Sequence, residues 1–328
     1  MFCHIISVEN LFLAWHEFCR GKKKKLDVAQ FEFNLEDNIF QLHKDLISKT
    51  YKHSVYKSFY VRDPKLRHIH KACVRDRVLH QAIFRILYPV FDRNFIFDSY
   101  SCRFKKGTHR AVNHLNTFAR KCSQNWRKDI FVLKCDVRKF FGSINKGILL
   151  NLIKRRVEDE NVLWLIKIII DSFNKESDEG LPLGNVTSQL FSNIYLNELD
   201  WFIKRQLKEK YYIRYCDDFV LISKDKSHLE NVILVLNDFL LKKLKLFLHP
   251  DKISIRKYNQ GIDFLGYVNF SHFRTLRTKT KRRIFRKIKL LEGNLSENSL
   301  QSYLGILDHC NGYKLGAFIK EKCIGKDT

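Results

Sequence analysis

The sequence predicts an α+β fold, helices packed with antiparallel strands, and three observations predict it. The stretch Tyr211-Tyr-Ile-Arg-Tyr-Cys-Asp-Asp-Phe-Val-Leu-Ile-Ser223 has two short arms rich in aromatic and β-branched residues on either side of two adjacent acids, the pattern of a tight β-hairpin. The run Ile130-Phe-Val-Leu-Lys-Cys-Asp136 is short, apolar and closed by an acid, the pattern of a buried strand. Around both lie long segments whose apolar residues recur at helical spacing. The 27 Phe and 13 Tyr argue for a filled core, not a disordered basic tail.

Taken in order, residues 1–50 read as helical through Leu11, Leu13, Trp15 and Phe18, with a break at Gly21 followed by Lys22 to Lys25, a solvated face or a phosphate contact. From Tyr51 to Lys71 the chain turns β-like around Asp63-Pro64; Lys65 and Arg67, two apart, share one face of that hairpin. A helix then begins near Asp76-Arg77, with Val78, Ala82, Ile83, Ile86, Leu87 and Val90 on its apolar side. A basic, Gly-containing loop from Ser99 to Thr108 leads into another helix. After Asp136 the run Val137 to Ile144 is aromatic and basic, and a helical hairpin passes through Trp164 and Ile170. Gly180-Leu-Pro-Leu-Gly184 allows the backbone to approach a ligand closely. Thr187 or Ser188 is expected to cap the helix that runs through Leu190, Ile194, Leu199 and Ile203. Beyond the hairpin come an amphipathic helix from Leu229 to Leu240, the segment Leu248-His-Pro-Asp-Lys252, and Phe264-Leu-Gly-Tyr267. The span Arg274 to Lys289 holds nine basic residues and no acid, interleaved with Leu276, Ile284, Phe285 and Ile288, and reads as a basic amphipathic helix suited to a nucleic-acid duplex.

Charge points the same way. Sixty basic against 35 acidic residues leave a formal net charge of +25, which favours a polyanionic partner, nucleic acid ahead of a membrane surface. No apolar run reaches the roughly 18–20 residues of a membrane span, and the N-terminus lacks the pattern of a secretory signal. Nine cysteines are scattered singly with no Cys-x-x-Cys pair, so neither a zinc ribbon nor a disulfide framework is indicated; they read as small buried hydrophobes of a reducing, cytoplasmic compartment.

The acids of the hairpin need an explanation. Two carboxylates ~4 Å apart at an effective dielectric of ~20 repel by roughly 4 kcal/mol. A fold keeps such a pair when cations neutralise it, when one member turns to solvent, or when one stays protonated. An Asp-Asp dipeptide is commonly just an exposed turn, and an acid at a strand end is commonly a cap. Tyr215-Cys-Asp-Asp218 together with Asp136 supplies a third carboxylate and makes metal binding the sharper expectation.

The order of segments carries a resemblance. A basic hairpin, a strand-terminal Asp, Leu-Pro-x-Gly-x-x-x-Ser, Tyr-x-Asp-Asp, a Lys-bearing segment and Phe-Leu-Gly-Tyr follow one another as in the palm-and-fingers core of reverse transcriptases, over roughly residues 51–270. Within that family most members place Gln before the glycine of the fourth block and Ser-Pro after it. Leu183-Gly-Asn-Val-Thr-Ser-Gln189 instead resembles the reverse transcriptases of diversity-generating retroelements, as do Ser302-Tyr-Leu-Gly305 and Gly312-Tyr-Lys-Leu315; the Val-Thr-Gly of retron enzymes is absent. Cys216 is a departure, small aliphatic residues being commoner there.

The resemblance implies a right-hand polymerase: an N-terminal helical extension over 1–50, fingers over 51–128, a palm with an antiparallel sheet over 129–270 (with a fingers insertion around 150–180), and a helical thumb over 271–328. It implies an RNA-directed DNA polymerase using two Mg²⁺ ions, with Mn²⁺ as a substitute, held by Asp136 and Asp217 as bridging ligands and by Asp218 in a weaker role. Lys65 and Arg67 would clamp the triphosphate, Phe141 would exclude a ribose 2′-hydroxyl, and Lys252 would give a proton to pyrophosphate. Leu183, Gly184 and Gln189 would face the incoming nucleotide, and Phe264 to Tyr267 would grip the primer. The implied partners are a template RNA, the primer/cDNA duplex, deoxynucleoside triphosphates and a small basic accessory protein, with no membrane. The alternatives are a group II intron-like or abortive-infection-type reverse transcriptase, or a non-catalytic RNA-binding protein on a polymerase fold.

Overall fold

The computed structural model describes residues 1–62, 66–173, 177–291 and 295–324. Its strands are β1 (Lys57–Arg62), β2 (Leu66–Lys71), β3 (Phe131–Asp136), β4 (Tyr212–Tyr215), β5 (Asp218–Ser223), β6 (Ser254–Lys257), β7 (Ile262–Phe264), β8 (Tyr267–Asn269) and β9 (Arg274–Leu276). They form a hairpin β1-β2, a four-stranded sheet in the order β4-β5-β3-β6 and a meander β7-β8-β9, every pairing antiparallel. Helices supply most of the rest, so the α+β expectation holds. Among the described residues no helix is long and apolar enough to cross a membrane.

Two compact units share the chain. The first comprises Met1–Arg103, Val137–Lys208 and Val235–His249. In it the helix Val74–Asp92 packs on the helices Val8–Cys19 and Val186–Trp201, burying Leu11, Trp15, Leu79, Ile83, Leu190 and Ile194. Asn10 sits inside this contact without an unmet donor: its amide donates to the carbonyls of Ile5 and Ala82 at 2.9 and 3.2 Å. The helix Val8–Cys19 starts where Ser7 accepts a bond from the Asn10 N–H and Glu9 meets the positive end of the helix dipole.

The second unit comprises Phe104–Asp136, Glu209–Leu234 and the described residues of Pro250–Thr328. The helix Thr108–Cys122 packs on β4 and β5, and Leu133, Cys135, Phe219 and Leu221 fill the sheet. The chain crosses between the units at Asp136-Val137, so the strand-terminal acid belongs to the sheet and the aromatic run after it to the other unit.

Three sequence expectations are corrected. The helix Val186–Trp201 begins after Asn185, with Thr187 and Ser188 buried inside its first turn and no side-chain cap bond, because Asn185 already holds the extended backbone that an N-cap needs. The basic helix covers Thr278–Leu290 only; Arg274–Leu276 is strand β9, its alternation absorbed by pairing with β8. The helix expected from Asp76 starts at Val74, where the Cys73 thiol accepts from the Asp76 N–H. Asp63-Pro64 and Lys65 lie outside the described residues.

Candidate metal and nucleotide site

The register of the four-stranded sheet assembles the acids. β3 and β5 set Asp136 directly opposite Asp218, and β4 and β5 set Tyr215 opposite Asp218, leaving Cys216-Asp217 as a two-residue turn. Residues paired across an antiparallel ladder share a face, so Asp136 and Asp218 point the same way. Asp218, expected in a weaker role, thus stands across the ladder from Asp136. Cys216 occupies the left-handed region at φ 56°, which a β-branched side chain would tolerate poorly. The turn is pinned from below: fully buried Arg214 donates to the Cys216 carbonyl at 3.1 Å, and Thr108 donates its hydroxyl to the Tyr215 oxygen at 3.2 Å.

Cation deficit marks this cluster. Lys252 donates to Asp136 Oδ2, and the Lys134 ammonium lies 3.4 Å from Asp218 Oδ2. Asp218 Oδ1 is buried with no hydrogen-bond partner. Burial pushes the Asp218 carboxyl up to about 6, against the partial relief that Lys134 gives. Burial and then the Asp136 charge push Asp217 above the ordinary carboxylate value, only partly offset by Lys252. An orphaned carboxylate oxygen, oxygen-only donors and destabilised anions fit hard divalent cations such as Mg²⁺. Among the described residues no group of three His, Cys, Asp or Glu side chains is drawn close enough to hold a metal ion; Asp136 and Asp218 are each paired with a lysine. Lys134 was not singled out in the sequence; the available signal was its position two residues before Asp136 on one strand, hence on the same face.

The residues expected to meet a nucleotide fall in the other unit. Arg67 is exposed on β2, opposite Val61 of β1. The loop 183–185 is laced to that strand: the His70 N–H donates to the Leu183 carbonyl at 3.0 Å and the Asn185 amide donates to the His70 carbonyl at 3.1 Å. Gly184, at φ +116°, presses on Ile69, where an added Cβ would come within 3.1 Å of the Ile69 side chain, so both conformation and space demand glycine. The Leu181 N–H donates to the Phe141 carbonyl at 2.7 Å, which ties the aromatic run to the same loop. Phe140 is buried in edge contact with Phe141, centroids 5.4 Å apart, whereas the Phe141 ring is only half-buried. Gln189 is exposed in the first turn of the helix Val186–Trp201. The unit therefore brings the β2 strand, Phe141 and Leu183-Gly184 onto one framework.

Phe264 and Tyr267, both buried, close the β7-β8 hairpin around Leu265-Gly266, which both have positive φ (50° and 94°). That is the backbone of a tight primed turn, with leucine where asparagine is usual. Tyr267 donates its hydroxyl to the Ile306 carbonyl at 3.0 Å.

Comparison with known proteins bears on the family and the fold. The family model of the reverse transcriptases (RNA-dependent DNA polymerase) matches residues 53–269. Protein YkfC of Escherichia coli (strain K12) is 26% identical over 266 residues, 69% of each chain. The group II intron-encoded protein LtrA of Lactococcus lactis subsp. cremoris is 23% identical over 305 residues, 71% of this chain and 49% of LtrA. Among solved structures, telomerase from Candida albicans in complex with the TWJ fragment of telomeric RNA superposes with a TM-score of 0.53 at 13% identity, covering 85% of this chain and 56% of that one. Apo telomerase from Candida tropicalis gives 0.52 at 13%, covering 83% and 60%. The chain thus spans about half of LtrA and under two thirds of the telomerase chains. The structural likeness shows the right-hand polymerase fold.

Proposed function

The chain belongs to the reverse transcriptase (RNA-dependent DNA polymerase) family, and we propose that it copies an RNA template into cDNA from deoxynucleoside triphosphates. The observation that carries the reading is the acid cluster itself: Asp218 opposite Asp136, Asp217 on the turn beside it, and a buried carboxylate oxygen left without a partner. Asp136, Asp217 and Asp218 would hold a pair of divalent ions. When bound, such ions supply Lewis acidity, lowering the pKa of the primer 3′-hydroxyl and neutralising the triphosphate.

The side chains divide the remaining work. Arg67 offers planar bidentate contacts to phosphate oxygens from an exposed strand, and Lys65 is proposed to join it. Phe141 bars the 2′-hydroxyl of a ribonucleotide. Lys252, already bonded to Asp136, holds a proton next to the metal carboxylates and can give it to departing pyrophosphate. The helix Thr278–Leu290 buries Ile284 and Ile288 and exposes Lys279, Arg282, Arg286, Lys287 and Lys289, a backbone-tracking surface whose binding weakens steeply with salt. Residues 51–128, 129–270 and 271–328 are proposed as fingers, palm and thumb. Primer extension on an RNA template with deoxynucleotides and Mg²⁺ is the direct test; a folded, RNA-binding protein that extends no primer under any divalent metal would instead support the non-catalytic alternative.

The finer reading is the mutagenic reverse transcriptase of a diversity-generating retroelement, working with a small basic accessory protein in the cytoplasm. Leu183 supports it. Where most of the family can hydrogen-bond the nascent pair with Gln, leucine offers no polar atom, and its backbone is fixed by the bond to His70. One hydrogen bond contributes roughly 0.5–1.5 kcal/mol, and each ~1.4 kcal/mol of differential transition-state stabilisation is tenfold in discrimination. Leu183→Gln is therefore expected to lower misincorporation by up to about tenfold, most visibly opposite template adenines. Sequencing cDNA made by both proteins on one RNA checks it; an equal adenine error rate with polymerisation intact places infidelity elsewhere. The similarity to LtrA favours a second reading, a group II intron-like enzyme, for which both proteins would copy adenines with the accuracy they show at other bases.

A further inference from the structure

We propose that Lys134 is a built-in placeholder for a divalent cation, neutralising Asp218 in the metal-free chain and setting how tightly the site takes its metal. The proposal rests on the reading of Asp136, Asp217 and Asp218 as metal ligands. Three features of the second unit carry it. The Lys134 ammonium stands 3.4 Å from Asp218 Oδ2 on the acid-bearing face of the sheet. Asp218 Oδ1 stays buried and unpartnered, so a single ammonium leaves the carboxylate half satisfied. The ammonium also has a second anchor, donating to the Asp263 carbonyl on β7 at 2.9 Å.

That second anchor gives the side chain somewhere to remain when Asp218 turns to a metal. The strand that provides it is itself held, since Arg277, just before the helix Thr278–Leu290, donates to Asp263 Oδ1 at 2.6 Å. Lys134 is thus a positioning residue with one fixed partner and one exchangeable partner. Its positive charge must be tolerated by any cation that binds Asp218, so the lysine weakens metal binding while it stabilises the metal-free fold. A lysine that merely stitched β3 to β7 would have the opposite effect: its loss would loosen the site and weaken metal binding. The sign therefore separates the two.

The experiment is direct binding of Mn²⁺ alone to the full chain, without nucleotide or RNA, followed by the electron paramagnetic resonance signal of the free ion. Lys134→Met is expected to tighten binding roughly three- to tenfold, and Lys134→Arg to restore the wild-type affinity. Lys134→Gln, which keeps a donor for the Asp263 carbonyl without the charge, is expected to match the Met variant and decides the case if Met at this position lowers stability too far. Equal or weaker binding by folded Met and Gln variants overturns the placeholder role while leaving the metal site intact. Failure of the wild-type chain to bind Mn²⁺, or binding unchanged by Asp217→Asn, overturns the metal-site reading and the inference with it.

Discussion

Asp217→Asn is expected to abolish deoxynucleotide incorporation while leaving the fold intact or more stable. The turn Cys216-Asp217 projects this carboxyl beside Asp136 and Asp218, where it adds an anion to a site already short of positive charge. An amide cannot replace a charged oxygen ligand, and the loss should exceed the about 10- to 100-fold that removing an outer partner of a metal ligand costs. Stability should move the other way. The folded Asp217 and Asp218 carboxyls are both pushed above their ordinary value, so the native chain binds protons more tightly than the unfolded chain. Their contribution is therefore greatest in acid and is lost as pH rises from about 4 through the raised native values; for Asp218 that native value is about 6. The metal-free variant should melt no lower than wild type at about pH 7.5, with any gain closing towards about pH 4. Single-turnover extension and metal-free melting curves across pH check both halves. Extension at a near wild-type rate would remove Asp217 from the metal site.

How much of this was legible beforehand depends on sequence distance. The hairpin around Tyr215 to Asp218 could be read because its arms alternate locally and the turn lies between them. Asp136 could be read as a strand end from short-range pattern alone, whereas the close neighbour of Gly184, the Ile69 side chain, could not. The Lys134–Asp218 contact could not, because it depends on the register of β3 against β5, strands far apart in the chain and brought together only by folding. For the same reason β9 was hidden: Arg274, Thr275 and Leu276 carry no strong strand signal of their own, and pairing with β8 decides their state. The N-cap at Asn185 was missed in favour of Thr187 and Ser188, although asparagine caps as readily as serine, because the choice hangs on backbone geometry set by the loop's attachment to His70. Local chemistry announced the acids, and tertiary pairing supplied their counter-ions.

Phe141→Ala is expected to admit ribonucleotides. The preceding phenylalanine is buried and anchors the 3₁₀ turn Phe140–Gly142, whereas the Phe141 ring is half-buried and free to meet a ligand on its outer side. The ring makes an edge contact with Phe140, and the backbone that carries it is fixed by the bond from the Leu181 N–H to the Phe141 carbonyl. A rigid aromatic wall rejects an added hydroxyl by overpacking, which costs about 1–3 kcal/mol. At tenfold per ~1.4 kcal/mol, alanine should shrink the preference for a deoxynucleotide over its ribonucleotide roughly five- to hundredfold. The loss should appear in the ribonucleotide's kcat/KM rising, not in the deoxynucleotide's collapsing, because the Leu181 bond is to backbone and survives the substitution. Measuring kcat/KM for one ribo/deoxy pair in both proteins decides it. A ratio left unchanged in a folded, active variant would reduce Phe141 to a packing partner of Phe140 and move sugar selection to another residue.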